Sequence, residues 1–548
     1  MRLLPACFLI AAGFAQAQAP VASSPIAETA IATAKQLRDS ALAGSGAYAI
    51  TESLTTEVGA RMAGSEADAR AVRWAEAKFK ALGFDRVTLE PVTIPVWRRG
   101  TESAAVTSPA PQKLSLLALG WSSGTPKGGI EAEVVRFENI DALKAAPDAA
   151  VQGRIVFVSQ KMTRRRDGGG YGTAVGVRAQ AAEIGGRKGA VAALIRSIGT
   201  DNDRFPHTGG GVWFGQIALD AELRKRAITL SDGSLIATTL VPAAALSNPD
   251  ADQLDRLVAL GQPVRIKLEL DVGYVGEYHG HNVIGDLIGR ERPEEIVLIG
   301  GHLDSWDPGT GAIDDAAGIA ITMAAGAAIA KLPERPRRTL RVVAFADEEQ
   351  GLFGGYAYAK AHPDAARTHV AIAESDFGAG LIYRFDSNVA ADALPTVNAI
   401  GQVLYPLDIE RGGNDAHVGS DIGPIHKLGV PAFALNQDGI DYFDYHHTAN
   451  DTLDKVDAKK LDQNVAAYVA FAYLAAEAEH KSKRRRNLEI SRRPGAGKMF
   501  GGVRQAIARG LVPESVHHSS FKPCGVAHHR LVPRRIEDEV DVGFVDGG

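Results

Sequence analysis

The stretch GGHLDSWDPGTGAIDDAAG, residues 300–318, follows the apolar run Ile296-Val297-Leu298-Ile299. A short β-branched run of that kind reads as a buried strand of a parallel sheet. His302 and Asp304 then fall where the strand ends, the usual place for ligand-binding groups in open α/β sheets. The loop Asp307-Pro308-Gly309-Thr310-Gly311 is punctuated by Gly and Pro and is too acidic to be core. Asp314 and Asp315 come next, ahead of an Ala/Ile/Met run to Lys331 that reads as a buried helix. An imidazole and several carboxylates therefore converge between a strand end and a helix start. That mixture suits hard and borderline divalent metals.

Outward from this stretch the α/β rhythm continues. Asn282 to Ile288, Leu340 to Ala346 and Val370 to Ala373 read as strands, and Gly354 to Ala361 as a helix. The alternation predicts an α/β fold, a mainly parallel mixed sheet with helices on both faces. Acidic groups recur at the strand ends: His302 and Asp304, then Asp347-Glu348-Glu349, then Glu374-Ser375-Asp376. One such end means little; three on one sheet edge define a site. Before the closing helix Ala458 to Ala478, the loop Tyr445-His446-His447-Thr448-Ala449-Asn450-Asp451-Thr452-Leu453 adds two histidines. Adjacent side chains are expected to point in different directions, so one of the pair is expected to bind metal.

The chain has 548 residues, more than one hydrophobic core holds. A formal net charge of -5 leaves no electrostatic footprint for nucleic acid. Two cysteines, Cys7 and Cys524, supply neither a disulfide framework nor a thiolate metal site. Arg2, an apolar stretch to Phe14 and the small-x-small pattern Ala15-Gln16-Ala17 read as a secretory signal cut after Ala17. No other segment reads as a membrane span. The expected destination is secreted or periplasmic.

Residues 31 to 81 read as helical, and Gly83 stops the helix that starts at Glu66. Arg86 to Glu90 and Val92 to Trp97 read as strands. Short strands, helices and many glycines fill the region from Leu116 to Leu246, and no cluster of His, Asp and Glu appears there. His207 is the one residue of that region placed to face a site, against which stands the favoured reading as a solvated loop histidine; His279 and His281 read as structural. Gly120-Trp121-Ser122-Ser123-Gly124 fits the serine-hydrolase expression G-x-S-x-G, but Thr125-Pro126 forbids the helix that would expose a nucleophile. It reads as a loop.

The stretches GGHLDSWD (300–307), AIDDAAG (312–318), DEEQG (347–351), ESD (374–376) and HHTANDT (446–452) resemble the co-catalytic zinc aminopeptidase and glutamate carboxypeptidase family. Weaker likeness runs back to Arg61 and through VTIPVWRRG (92–100), so that it spans most of residues 30–480. The resemblance implies two Zn2+ ions, with Co2+ or Mn2+ as alternatives for such donors. It assigns His302 and Asp376 to one metal and Glu349 and His447 to the other, with Asp314 bridging. Asp315 would supply the unusual peptide beside the bridge. Asp304 would orient His302 through its other ring nitrogen. Glu348 would be the general base. Asp421 falls near a Ser/Thr-Asp pair of the relatives.

By the same likeness the chain divides into a signal (1–17), a first catalytic part (18–115), a protease-associated-like α/β insert (116–258), the metallopeptidase domain (259–480) and a basic tail (481–548) with no core pattern. The function implied is an exported zinc exopeptidase acting on dipeptides or on the N-terminal residues of short peptides. A carboxypeptidase that removes acidic residues is the nearest alternative. A single-zinc cyclase or a binding protein with a dead site would have lost ligands that are present here. The likeness also suggests a homodimer.

Overall fold

The computed structural model describes residues 25–217 and 220–479. The leader and the tail read from the sequence lie outside the described residues. The chain begins with helices Glu28–Ala43, Ala47–Glu57 and Glu66–Ala81. The third starts at Ser65, whose hydroxyl accepts from the Asp68 amide at 3.1 Å, with Glu66 and Asp68 in its first turn and Lys78 and Lys80 in its last. Cap and charges both favour that placement. It buries Ala71, Val72, Trp74, Ala75 and Phe79, and ends at Gly83, where φ is +85°.

The sheet is mixed and mostly parallel around the His302 strand. Arg292–His302 lies between Arg338–Phe345 and His369–Glu374 and runs parallel to both, which brings the three C-terminal ends to one edge. Ala432–Gln437 continues the order beyond His369–Glu374. On the other side, Arg265–Leu287 pairs antiparallel with Arg338–Phe345. The strands Ile130–Phe137, Ile155–Val158, Ala192–Arg196 and Ala243–Leu246 extend the order from there, parallel to one another. Residues 116–258 thus carry their own run of parallel strands, joined to the catalytic strands through Arg265–Leu287.

One expectation changes. The two short strands read at 86–97 are a single strand, Arg86–Ser108, paired with Arg265–Leu287 along nearly its whole length. Pro91 and Pro95 do not break it, because among the described residues only Ala104 to Val106 have a partner on the opposite side. A proline on an unpaired edge costs no ladder bond.

The helix Ala317–Ala330 follows the His302 strand and is apolar on every face. By length and composition the segment Ala312–Ala330 could cross a membrane, but 94% of it is buried within the protein. Its small side chains let it pack closely between the sheet and the closing helix Ala458–Glu477. The closing helix is capped by Asp457 and donates its Tyr468 hydroxyl to the Glu374 carbonyl at 2.5 Å, anchoring one of the three strand ends.

Candidate metal centre

The residues at those strand ends meet. His302 Nε2 lies 3.0 Å from Asp314 Oδ1 and 3.4 Å from Asp376 Oδ1. His447 Nε2 lies 2.8 Å from Glu349 Oε2 and 3.4 Å from Asp314 Oδ2. The two oxygens of Asp314 therefore face two different histidines. Three overlapping groups could each hold an ion: His302, Asp314 and Glu349; His302, Asp315 and Asp376; and Asp314, His446 and His447.

The loop between strand and helix is held from outside. Arg61, fully buried, donates to the carbonyls of Leu303 (2.5 Å), Thr310 (2.7 Å) and Gly311 (3.0 Å). Asp451 accepts from the amides of Ala312 and Ile313, both at 2.8 Å. The peptide between Asp314 and Asp315 is cis. Asp315 turns away from the bridge position and accepts from the amides of His302 and Gly318, each at 3.1 Å.

Two details differ from the sequence reading. Nearest to His302 Nδ1 is the backbone carbonyl of Asp304, at 3.1 Å, while that residue's carboxylate stands 3.6 Å away. The Asp304 carboxylate instead accepts from the amides of Glu348 (3.1 Å) and Glu349 (3.4 Å), fixing the turn that carries both glutamates. The second detail is the histidine pair. His446 and His447 do not diverge: their rings stack at 3.5 Å, and His446 Nε2 also faces Asp314 Oδ2, at 3.7 Å. His447 has a φ of +62°, which reverses the chain locally and brings the two rings to one side.

Burial dominates the electrostatics. It pushes the carboxyls of Glu348 and Glu349 well above the usual range, and the nearby carboxylates Asp376 and Asp314 add to this. Asp314 alone among the presumed ligand carboxylates is drawn below its ordinary value; burial opposes this, and His302 and His446 overcome it. Burial, then His446 and Arg178, holds His447 well below its usual value, which favours the neutral ring that metal ligation requires. Among the described residues, several buried oxygens accept no hydrogen bond: Asp314 Oδ2, Glu349 Oε1, and both carboxylate oxygens of Asp347 and of Asp421. Buried carboxylates persist unpartnered only where something else balances them. Two imidazoles, three carboxylates and orphaned oxygens among them fit divalent zinc.

Sequence reasoning passed over several residues. The Tyr442 hydroxyl is among the groups that draw the Asp314 carboxyl down. His207 is buried rather than solvated, between Asp201 Oδ1 (2.6 Å) and the His446 carbonyl (2.7 Å). The Asp-x5-His spacing was the one signal for the first contact; the second spans 239 residues and left none. Asp421 is buried beside Glu374, which accepts its amide at 3.2 Å. The G-x-S-x-G segment is a loop, with Ser122 donating to the Ser123 carbonyl and accepting from the Ala243 amide. His279 and His281 lie on the long ribbon and enter none of the ligand groups.

Comparison with known proteins gives the family and the fold. The model of peptidase family M28 matches residues 282–472, which span every strand end described above. Carboxypeptidase Q of Bos taurus is 33% identical over 427 residues, covering 78% of this chain and 84% of that one. The Homo sapiens carboxypeptidase Q is 32% identical over 426 residues, with the same coverage of 78% and 84%. Among solved structures, a peptidase M28 precursor from Shewanella amazonensis SB2B superposes with a TM-score of 0.76 at 47% identity, covering 83% of this chain and 98% of its own. A zinc aminopeptidase from Bacillus subtilis (TM-score 0.57, 18% identity, 79% and 95% covered) shares the fold. With a third of its residues shared with curated relatives across most of both lengths, this chain belongs to peptidase family M28 and is a metallopeptidase.

Proposed function

We propose that the protein is an exported exopeptidase that binds two zinc ions and cleaves dipeptides or the N-terminal residues of short peptides. One observation carries the reading: Asp314 divides its two carboxylate oxygens between His302 and His447, which is how a carboxylate bridges two metal positions. His302 and Asp376 would hold one ion, and Glu349 and His447 the other. Bound there, the zinc pair would lower the pKa of a water and polarise the scissile carbonyl.

The chain's own groups supply the rest. Glu348 sits at the same turn as Glu349, with its amide fixed by Asp304. Its carboxylate takes the proton of the attacking water and returns it to the leaving amine nitrogen. Burial keeps this carboxylate basic enough to accept that proton. Asp304 is a positioning residue, setting the turn rather than touching substrate. Residues 116–258 are read as a protease-associated-like insert, and export rests on the pattern of residues 1–17. Solution as a homodimer is part of the same reading.

Cleavage direction is open to a second reading, because the curated relatives carry the name carboxypeptidase. The test is an assay of mature protein on free dipeptides, their N-blocked counterparts and an N-blocked peptide ending in glutamate. Each is run as purified, after chelation and after zinc is restored. Chelation-sensitive cleavage of free-amino substrates alone supports the exopeptidase stated here. Preference for the blocked glutamate peptide moves the assignment to a glutamate carboxypeptidase. Bound zinc without turnover of any substrate argues for a binding protein.

A further inference from the structure

We propose that Arg178 and Thr208, both from the 116–258 region, are positioning residues that set the ring state and orientation of His447; this rests on the reading of His447 as a zinc ligand. A neutral imidazole carries one hydrogen. For Nε2 to offer its lone pair to an ion held beside Asp314 and Glu349, Nδ1 must hold the proton and needs an acceptor. The Thr208 carbonyl lies 3.2 Å from His447 Nδ1. Arg178 Nη1 approaches the same two atoms, at 3.2 Å from the Thr208 carbonyl and 3.4 Å from Nδ1.

These two neighbours serve both tautomers. With the proton on Nε2, Nδ1 accepts from Arg178 while Nε2 donates to Glu349, 2.8 Å away. With the proton on Nδ1, the ring donates to the Thr208 carbonyl, whose second lone pair still takes the Arg178 hydrogen. His447 can therefore change tautomer as an ion arrives without turning its ring. The net charge of the ring is the same in both forms.

The support is built, not incidental. Thr208 also donates its amide to the His447 carbonyl at 3.1 Å, and His207 Nδ1 contacts the His446 carbonyl, so two consecutive residues clasp two others. Arg178 is buried, and its Nη2 donates to the Tyr171 hydroxyl at 2.5 Å. Tyr171 in turn stacks on Phe443, with ring centres 4.9 Å apart, in the short helix Tyr442–Tyr445 that leads into the histidine loop. Gly209 leaves the room required: a Cβ there would stand 2.2 Å from Arg178 Nη1 and 2.8 Å from His447 Nδ1. A buried guanidinium is costly to place and is retained where it orders its surroundings.

The test is zinc binding by the metal-stripped mature protein, measured by titration against a chromophoric chelator. The variants are Arg178→Met, Arg178→Lys, Tyr171→Phe and His447→Ala, with thermal unfolding of each metal-free protein alongside. We expect His447→Ala to lose one ion. Arg178→Met should keep both but weaken one of them by ~10–100-fold, as loss of a group behind a ligand typically does. Arg178→Lys should recover part of that loss, and Tyr171→Phe should weaken the same ion on the order of threefold to tenfold. If His447→Ala loses an ion while Arg178→Met and Tyr171→Phe bind as wild type, the positioning role is wrong and the metal centre stands. Equal weakening of both ions, together with a lowered unfolding temperature, would make Arg178 a purely structural residue and overturn the proposal. If His447→Ala binds two ions unchanged, the ligand assignment fails and the proposal with it. Should Arg178→Met not fold, Tyr171→Phe decides.

Discussion

The strand ends at 302–376 and the 116–258 region treat buried charge in opposite ways. In the second, Arg196 is buried but spends its guanidinium on Asp252, Asp255 and Ser159, and Arg204 is paired with Asp250. Among the described residues, its buried side-chain atoms without a hydrogen-bond partner are Ser123 Oγ and Arg178 Nε. At the strand ends, by contrast, Asp314, Asp347 and Glu349 all keep buried carboxylate oxygens without partners, as does nearby Asp421. The buried Arg196 finds its acids within its own region, whereas these strand-end oxygens have no hydrogen-bond donor. The difference separates residues kept for folding from residues kept for chemistry.

The comparison breaks first at Glu348. If the strand ends are kept for chemistry, Glu348→Gln should lower kcat by ~10²–10⁴-fold. Zinc content should stay unchanged, because Glu348 appears in none of the ligand groups. Metal analysis beside steady-state kinetics checks this; a fall in bound zinc that matched the lost rate would make Glu348 a ligand instead. Arg196→Ala is the mirror experiment. It should cost about 2 kcal/mol in denaturant unfolding, since Asp252 and Asp255 retain Lys161 and Arg136 as partners. The rate per folded molecule should not change.

Local patterns in the sequence reached much of this centre. His302 is legible because an apolar β-branched run ends just before it, and Glu348 and Glu349 because Arg338–Phe345 ends the same way. A strand end is a local event, and its residues share one neighbourhood. What failed was contact at long range. Arg178 lies in a helix with nothing to mark it, since its partner His447 is 269 residues away. His207 was lost for the same reason. The long ribbon was cut in two at Pro91, which looks like a break, and only the sheet shows that its other side is an edge there. Asp304 illustrates a finer limit. Proximity to His302 in sequence was clear, but which of its oxygens would face the ring depended on Glu348 and Glu349 arriving from another strand.

A buried histidine on the same sheet, away from the ligands, sharpens the contrast through pH. His369 opens its strand and contacts the Tyr358 hydroxyl at 2.8 Å. Burial, helped by Arg341 and His362, pushes it down to about 3. A base whose folded pKa is depressed binds fewer protons folded than unfolded between that value and its ordinary one. Its contribution to stability is therefore complete above about pH 6.5 and is lost as pH falls through that window toward about 3. Near pH 5 the loss amounts to about 2 kcal/mol. His369→Gln should flatten the pH dependence of unfolding between pH 7 and 5 by about that much, without moving zinc affinity. An unchanged slope would mean that the ring is already charged in the folded protein.

Asp421 offers the smallest effect and the most direct probe of unbalanced charge. Burial, then Glu374 and Glu348, raises its carboxyl well above the usual range. An acid with a raised folded pKa holds its proton after the unfolded chain has released it, so it costs stability increasingly as pH rises above about 3.9 toward the folded value. Asp421→Asn removes that cost. The metal-free variant should be more stable than wild type by about 1 kcal/mol near neutral pH. The gap should narrow as pH falls toward about 3, where both unfolded chains are largely neutral at this position. Zinc loading should narrow it too, because nearby cations offset the same charge. A gap independent of both pH and zinc would place the effect in packing, and would remove Asp421 from the residues that the centre leaves unbalanced. Urea unfolding of metal-free and zinc-loaded protein at three pH values separates these outcomes.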